Sequence, residues 1–331
     1  MNDRRSFIKI MAAATAGILV PIRNVSGKES VHRDRFGELL PLRTLGATNE
    51  KVTMLGLGGA HIGRMDDKTA ERVINAAMEG GIRFFDNAER YANGVAEERY
   101  GKFLTPKYRD VAFIMSKSRA KDGKTAQEHL ELSLKRMKTD YIDLWQIHSL
   151  TSVEDVDERI EEDILEVFSK ARDSGKVRYI GFTGHVDYMA HQRMLAKTDI
   201  LQTCQMPINC FDPNYKSFIR NVLPKLVDRN IGVLAMKSLS NGGFFGGRRH
   251  FESGENPRII PQYASIKEAL NFVWSLPVSV LITGPDDVDM LNEKIAIAKS
   301  FTAMSAEERT ELVSRLANAG FEGEKVEFYK G

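Results

Sequence analysis

VTMLGLGGAHIGRMDDKTAERVINAAMEGGIRFFDNAE, Val52–Glu89, holds the pattern that decides the fold. Val52–Gly59 is an apolar run that ends in two glycines. Asp66–Gly81 follows with apolar residues at helical spacing, an aspartate before the first turn, and Gly80-Gly81 as a stop. Ile82–Glu89 is apolar and aromatic again, and closes on Asp86. Strand, helix, strand in this order is a βαβ unit, whose two strands run parallel.

The alternation continues outward from this stretch. VAFIMSK (111–117), YIDLWQIHS (141–149), VRYIGFTG (177–184), ILQTCQMPIN (200–209), IGVLAMKSLS (231–240) and VSVLITG (278–284) read as strands, each followed by an amphipathic helical segment. Pro224 is expected to kink the sixth helix. Near-continuous apolar strands point to a parallel sheet covered by helices. Eight units over about 250 residues predict a closed (β/α)8 barrel. A doubly wound sheet is the alternative, but it usually has fewer units. Phe36–Val52 reads as a hairpin or connector leading into the first strand. Ala306–Gly320 adds a helix expected on the outside of the barrel. The chain thus divides into a leader and linker (1–31), the barrel (32–305), and a closing helix and tail (306–331).

The composition narrows the function. Of 331 residues, 47 are basic and 45 acidic, a net charge of +2 that offers nucleic acid no particular attraction. The acidic run Glu154–Asp163 reads as a solvated loop and outer helix face. Cys204 and Cys210 stand six residues apart along one strand, too far to bridge. The histidines lack the spacing of metal ligands, so no metal is expected.

DRRSFIKIMAAATAGILV, Asp3–Val20, resembles a twin-arginine export signal, with Arg4 and Arg5 before a short apolar run. Ile10–Val20 is too short to span a bilayer, which takes about 20 residues. The resemblance implies passage through the twin-arginine export machinery and a periplasmic location. It also implies a protein that folds, often around a cofactor, before it crosses. Val25-Ser26-Gly27 is the candidate processing site. Cleavage would release a soluble protein, and retention would leave a membrane tether.

Four ionisable residues fall at or just beyond strand ends two to four, where barrels of this kind carry their chemistry. Asp86 closes the second strand, Tyr91 lies five residues on, Lys117 closes the third and His148 the fourth. Singly, each has an ordinary explanation: a helix cap, a solvated lysine head, a core histidine. Together they make an acid–base set. Free tyrosine, with a pKa of about 10, is too weak an acid for neutral pH. Lys117 is expected to lower it, Asp86 to hold Lys117, and His148 to place a carbonyl oxygen beside the Tyr91 hydroxyl.

With these residues in place, the chain resembles the aldo-keto reductases over nearly its whole length after the leader. The landmarks are LRTLGATNEKVTMLGLGG, GIRFFDNAERYANGVAEERYGKFL, DYIDLWQIH, VRYIGFTGH and CQMPIN, in order. The resemblance implies a nicotinamide cofactor extended across the strand ends and an Asp–Tyr–Lys–His tetrad at Asp86, Tyr91, Lys117 and His148. It implies carboxamide contacts at Thr183, Gly184 and Gln205, where Gly184 replaces the family asparagine. Met236 stands where the family commonly stacks a tyrosine on the nicotinamide. Lys237 and Leu239 would face the pyrophosphate, and Asn209 matches a structural landmark. At the adenine end, Gly284 and Met290 stand where NADP-preferring members carry basic residues. Asp286 and Asp287 would repel a 2′-phosphate, or simply cap the eighth helix, and NAD(H) is favoured over NADP(H) on that ground.

Several residues keep two readings. His61 and His185 read as substrate-facing or as turn and cap residues. The long connector Asn241–Pro261 reads as a mobile flap or a surface loop, with Phe244, Phe245, Arg248 and Arg249 as its candidate clamp. Trp145 and Trp274 read as packing. The function expected is NAD(P)-dependent hydride transfer to or from a small carbonyl, alcohol or sugar-like substrate. The alternatives are an epimerase or lyase working through a transient ketone with retained nicotinamide, or a binding protein on the same barrel.

Overall fold

A computed structural model describes residues 31–245, 260, 262–321 and 323–330. Residues 1–30, which include the candidate export signal and its candidate processing site, and Arg248 and Arg249 lie outside them. Eight parallel strands close a barrel: β1 (Leu55–Gly58), β2 (Phe84–Asp86), β3 (Phe113–Ser118), β4 (Ile142–Leu150), β5 (Val177–Gly184), β6 (Thr203–Pro207), β7 (Gly232–Met236) and β8 (Val280–Thr283). Each pairs with its sequence neighbours, and β8 returns to β1 through Leu281 opposite Leu55. Every unit anticipated in the sequence is present.

The apolar run at Val52–Gly59 is two elements, not one strand. Lys51–Thr53 pairs antiparallel with Leu42–Thr44, and the chain bends at Met54 before β1 begins. The Thr53 hydroxyl donates to Leu55 O at 2.9 Å and ties the bend. This hairpin plugs the bottom of the barrel. Leu45 and Val52 join the inner layer formed by Phe84, Phe113, Met115, Leu144, Leu234 and Val280. Arg43 clamps the plug by donating to Val278 O at 2.7 Å and Trp274 O at 2.8 Å.

The principal helices following the strands are α1 (Asp67–Glu79), α2 (Val95–Arg99), α3 (Gly123–Met137), α4 (Ile164–Asp173), α5 (Tyr188–Lys197), α6 (Leu223–Asp228), α7 (Ile266–Trp274) and α8 (Val288–Lys299). α1 forms as the spacing requires: Asp66 caps it by accepting from Thr69 N, and Ala70, Val73, Ile74, Ala77 and Met78 turn inward. Burying side chains of this size is worth about 1.5–3 kcal/mol each for the larger ones. Trp145 points out of β4 and stacks on Phe168 of α4 at 3.7 Å, and Trp274 Nε1 donates to Met54 O. Both serve packing.

Three helices depart from their sequence pattern. α2 widens into a π-helical turn at Tyr100–Leu104, where Gly101 sits against the backbone of Arg136. The acidic run breaks between Val153–Glu161 and α4, at Asp163 in the left-handed region (φ +61°). Asp155 within it is buried, ion-paired with Lys121 and Arg159, so the run is not wholly solvated. The sixth helix breaks at Val222, and Pro224 sits in the first turn of α6.

α9 (Ala306–Asn318) lies outside, held by Arg315 to Glu268 of α7 at 2.5 Å. Residues 323–330 then return over the C-terminal mouth of the barrel, which the sequence pattern did not announce. Cys204 and Cys210 are both buried and unpaired. Among the described residues, no helix is long and apolar enough to cross a membrane.

Candidate active site

The barrel brings Asp86, Tyr91, Lys117 and His148 together at its C-terminal mouth. Lys117, 1% exposed, is ion-paired with Asp86 and donates to Asn87 O at 2.7 Å and to the Tyr91 hydroxyl at 3.2 Å. All three ammonium protons are therefore directed. The Tyr91 and His148 rings meet edge to face, 5.9 Å between centroids.

Local structure fixes this geometry. Tyr91 N donates to Ala88 O at 3.0 Å, and the next three residues turn left-handed: Ala92 (φ +50°), Asn93 (φ +55°) and Gly94 (φ +95°). Glu89 staples the loop to the end of β3, at Lys117 and just beyond it. Its amide donates to Lys117 O at 3.2 Å, and its carboxylate accepts from Arg119 N at 3.0 Å. From the π-helical turn, the Tyr100 hydroxyl donates to Asp86 O at 3.1 Å.

Burial controls the protonation states. It pushes the Tyr91 phenol well above the usual tyrosine range, with the Asp86 and Glu89 carboxylates adding to the effect. The expected lowering by Lys117 is thus overturned. Lys117 donates to the phenol oxygen but is itself ion-paired with Asp86. His148 is held well below its usual value by burial and then by the Lys117 charge, so it is a neutral imidazole. Burial drives Lys117 down and Asp86 up, each opposed by attraction to the other.

Buried polar atoms without partners in the protein lie in or beside this set, Asn87 Nδ2, His148 Nδ1 and Gln205 Oε1, and others follow β7, the hydroxyls of Ser238 and Ser240. An orphaned buried polar atom costs about 1–3 kcal/mol, so those at the mouth would gain by pairing with a polar ligand. Gln205 Nε2 lies 3.4 Å from Asp86 Oδ1, leaving its carbonyl oxygen for such a ligand. The donors and acceptors suit an amide-bearing, phosphate-bearing nucleotide. A nicotinamide dinucleotide fits this test: Gln205 offers a carbonyl oxygen, and Lys237, Ser238 and Ser240 offer donors.

The other anticipated contacts are placed as follows. Thr183 is buried at the end of β5, paired with Gln205 of β6. A side chain at Gly184 would meet Leu150 O at 2.6 Å, so no residue with an amide fits there. Met236 and Leu239 are half-buried on either side of Lys237. Lys237 adopts φ +56°, and burial pulls its ammonium down to about 7. An anion against it would restore the charge. Gly284 leaves space that the His61 ring fills, and His61 Nε2 stands 3.8 Å from Asp286. Asp287 caps α8 by accepting from Met290 N at 2.8 Å. Asp187, not His185, caps α5; His185 stands 3.4 Å from the Ser149 hydroxyl. Phe244 is fully buried in the core, which removes it as a clamp.

The residues not singled out in the sequence are Asn87, Glu89, Tyr100, Ser238, Ser240 and the segment 323–330. The first two flank Asp86 and Tyr91 closely enough that the same strand-end argument could have found them. Among the described residues, no group of three or more His, Cys, Asp or Glu side chains could hold a metal ion. A cavity of about 230 Å³ lies at the opposite, hairpin end of the barrel, and its arginines Arg83, Arg109 and Arg178 are all paired with carboxylates.

The chain is a (β/α)8 barrel with Asp86, Tyr91, Lys117 and His148 gathered at its C-terminal mouth. The aldo/keto reductase family profile matches residues 54–276, and the chain belongs to the aldo/keto reductase family. It is 33% identical over 198 residues to the aldo-keto reductase YhdN of Bacillus subtilis, 56% of each chain. The match therefore spans just over half of that relative. It is 27% identical over 221 residues to the L-galactose dehydrogenase of Arabidopsis thaliana, 61% of this chain and 66% of that one. The holo form of aldo-keto reductase AKR11C1 from Bacillus halodurans superposes with a TM-score of 0.70 at 22% identity, over 83% of this chain and 96% of that one. At that identity the likeness shows the fold alone.

Proposed function

We propose that this protein is an NAD(P)-dependent oxidoreductase that transfers hydride between a nicotinamide and a small carbonyl, alcohol or sugar-like substrate. The observation that carries the reading is the Tyr91 hydroxyl, 3.2 Å from a lysine that is itself ion-paired with Asp86, amid orphaned polar atoms. The nicotinamide, when bound, supplies or accepts the hydride. This chain's residues handle the proton. Neutral His148 orients the carbonyl oxygen. Tyr91, kept protonated, gives its proton to that oxygen as it becomes an alkoxide, and Lys117, donating to the Tyr91 oxygen at 3.2 Å, holds that oxygen in place. Asp86 keeps Lys117 charged and aimed. In the reverse direction Tyr91 takes the alcohol proton.

The likeness to an L-galactose dehydrogenase supports the sugar-like end of the substrate class. Asp286, at the adenine end beside His61, supports NAD(H) over NADP(H). The Arg4-Arg5 leader supports export through the twin-arginine machinery to the periplasm, where a retained nicotinamide would serve better than an exchanging one. That consideration keeps the epimerase or lyase reading as the second choice.

The test is direct. Purified protein is titrated with NADH and NADPH, then offered aldehydes, ketones and aldoses while nicotinamide absorbance is followed. The reading expects binding, tighter for NADH by about tenfold, which is roughly 1.4 kcal/mol. It also expects oxidation of NADH with at least one carbonyl class. Binding of neither nucleotide would overturn it. Isomerised substrate with no net change in bound nicotinamide would favour the second reading.

A further inference from the structure

Residues 323–330 are bolted across the barrel mouth by a buried ionic lock. Lys330 Nζ donates to Asp212 Oδ1 at 2.6 Å, Glu327 Oε2 at 2.7 Å and Tyr215 O at 3.0 Å, and all three ionisable groups are fully buried. Glu327 Oε1 accepts from Asn209 Nδ2 and from the Tyr329 hydroxyl, both at 2.7 Å. Asn209 and Asp212 follow β6, 118 residues away in sequence from the tail groups they hold. The segment also touches the loop after β7, where Gly243 leaves room only for Val326 O.

The lock places one ring over the strand ends. The Tyr329 ring lies 4.7 Å from Lys237 Nζ and 6.3 Å from the His185 ring. The segment therefore covers the ends of β5, β6 and β7, where Gln205, Lys237 and Ser238 sit. A buried ion pair adds little net stability, and its best-attested use is to specify one arrangement over another.

We propose that residues 323–330 form a strap that closes over the ends of β5–β7 and sets how long a bound nicotinamide nucleotide stays. This rests on the nicotinamide reading above. An open strap exposes Lys237 and the serines to the nucleotide phosphates, and a closed one bars the way out.

The lock also carries a pH handle. Two carboxylates share one ammonium, and burial, with Asp212 beside it, pushes Glu327 up to about 7 against the pull of Lys330. The other groups facing Glu327 among the described residues are Tyr329, Asn209 and the buried Cys210 thiol, which the Glu327 charge helps push up. Lys237, reached through the Tyr329 ring, titrates in the same region. An acid whose pKa rises on closure favours the closed state when protonated. Closure is therefore strongest below the free glutamate value, weakens as pH climbs toward about 7, and is flat above it. From about pH 6 to about pH 8 the closed population should fall roughly tenfold relative to the open one.

The experiment uses the full chain, Glu327→Gln, which mimics the protonated acid, and a deletion of residues 323–331. Amide hydrogen exchange over 323–330, corrected for intrinsic rate, is read at both pH values, and NADH release is read by displacement. The strap predicts tenfold loss of protection at the higher pH in the parent chain, none in Glu327→Gln, and release at least tenfold faster in the deletion. Any pH effect on release that survives in Glu327→Gln belongs to Lys237. Equal protection at both pH values, or the same slope in Glu327→Gln, overturns the lock. NADH binding with unchanged release in the folded deletion overturns the strap alone; an unfolded deletion passes that decision to release from Glu327→Gln, which must match the parent at low pH. Failure of the parent to bind NADH or NADPH overturns the strap's role together with the nicotinamide reading.

Discussion

A phenol beside a buried ammonium invites the expectation of a lowered pKa, and Tyr91 does the reverse. Lys117 is ion-paired with Asp86, so the phenol meets burial and two carboxylates instead of a free positive charge. That keeps the phenol protonated, so in the proposed reaction Tyr91 is a proton donor that stays loaded. In carbonyl reduction at saturating nucleotide, kcat should hold level as pH rises through about 9 and fall only above the ordinary tyrosine value of about 10. A fall centred near neutrality would assign the proton to another group. The four residues themselves were legible because each sits at or just past a strand end, where register alone makes them converge. Their protonation states were not legible, since those depend on burial and on which charge claims Lys117. Gly184 shows the same limit: the missing amide was visible, but the crowding by Leu150 O that excludes it belongs to the folded barrel.

At the scale of elements, periodicity located strands and helices well and their interruptions poorly. Val52–Gly59 looks like one strand because the hairpin arm and β1 are both apolar; only their different pairing partners separate them. α2 carries a helical pattern into a π turn that periodicity does not distinguish, although that turn aims Tyr100 at Asp86. The loop carrying Tyr91 depends on three left-handed residues, and Gly94 at φ +95° is the one whose missing side chain also makes room for the Arg136 guanidinium. Gly94→Ala should cost about 1–2 kcal/mol in denaturant unfolding, through backbone strain. It should also lower kcat several-fold with little change in nucleotide affinity, because the loop shifts Tyr91 and leaves Gln205 in place. Unchanged stability and turnover would show that the turn does not hold the tyrosine.

For the whole molecule, the sequence led to the barrel because eight units of one kind leave few ways to close. It anticipated the hairpin before β1 but not that this hairpin plugs the barrel, nor the segment across the mouth. The hairpin plug depends on Leu45, which no periodic pattern marks, and the strap depends on contacts between residues more than a hundred apart. The two ends have separate tasks, and the plug should matter for stability only. Leu45→Ala should destabilise the fold by about 2–5 kcal/mol in urea, through lost burial and the cavity left in the inner layer. Nucleotide affinity measured below the unfolding transition should not change. An equal loss of affinity would mean that the bottom of the barrel and its mouth are coupled.

The central claim is that Tyr91 transfers the proton at a mouth built around a bound nicotinamide. Tyr91→Phe tests it most directly, with NADH affinity and single-turnover carbonyl reduction measured on the same preparation. Loss of the hydroxyl should slow reduction by about 10²–10⁴-fold, while NADH affinity stays within about threefold, or roughly 0.7 kcal/mol. Reduction at the parent rate with NADH still bound would contradict the account.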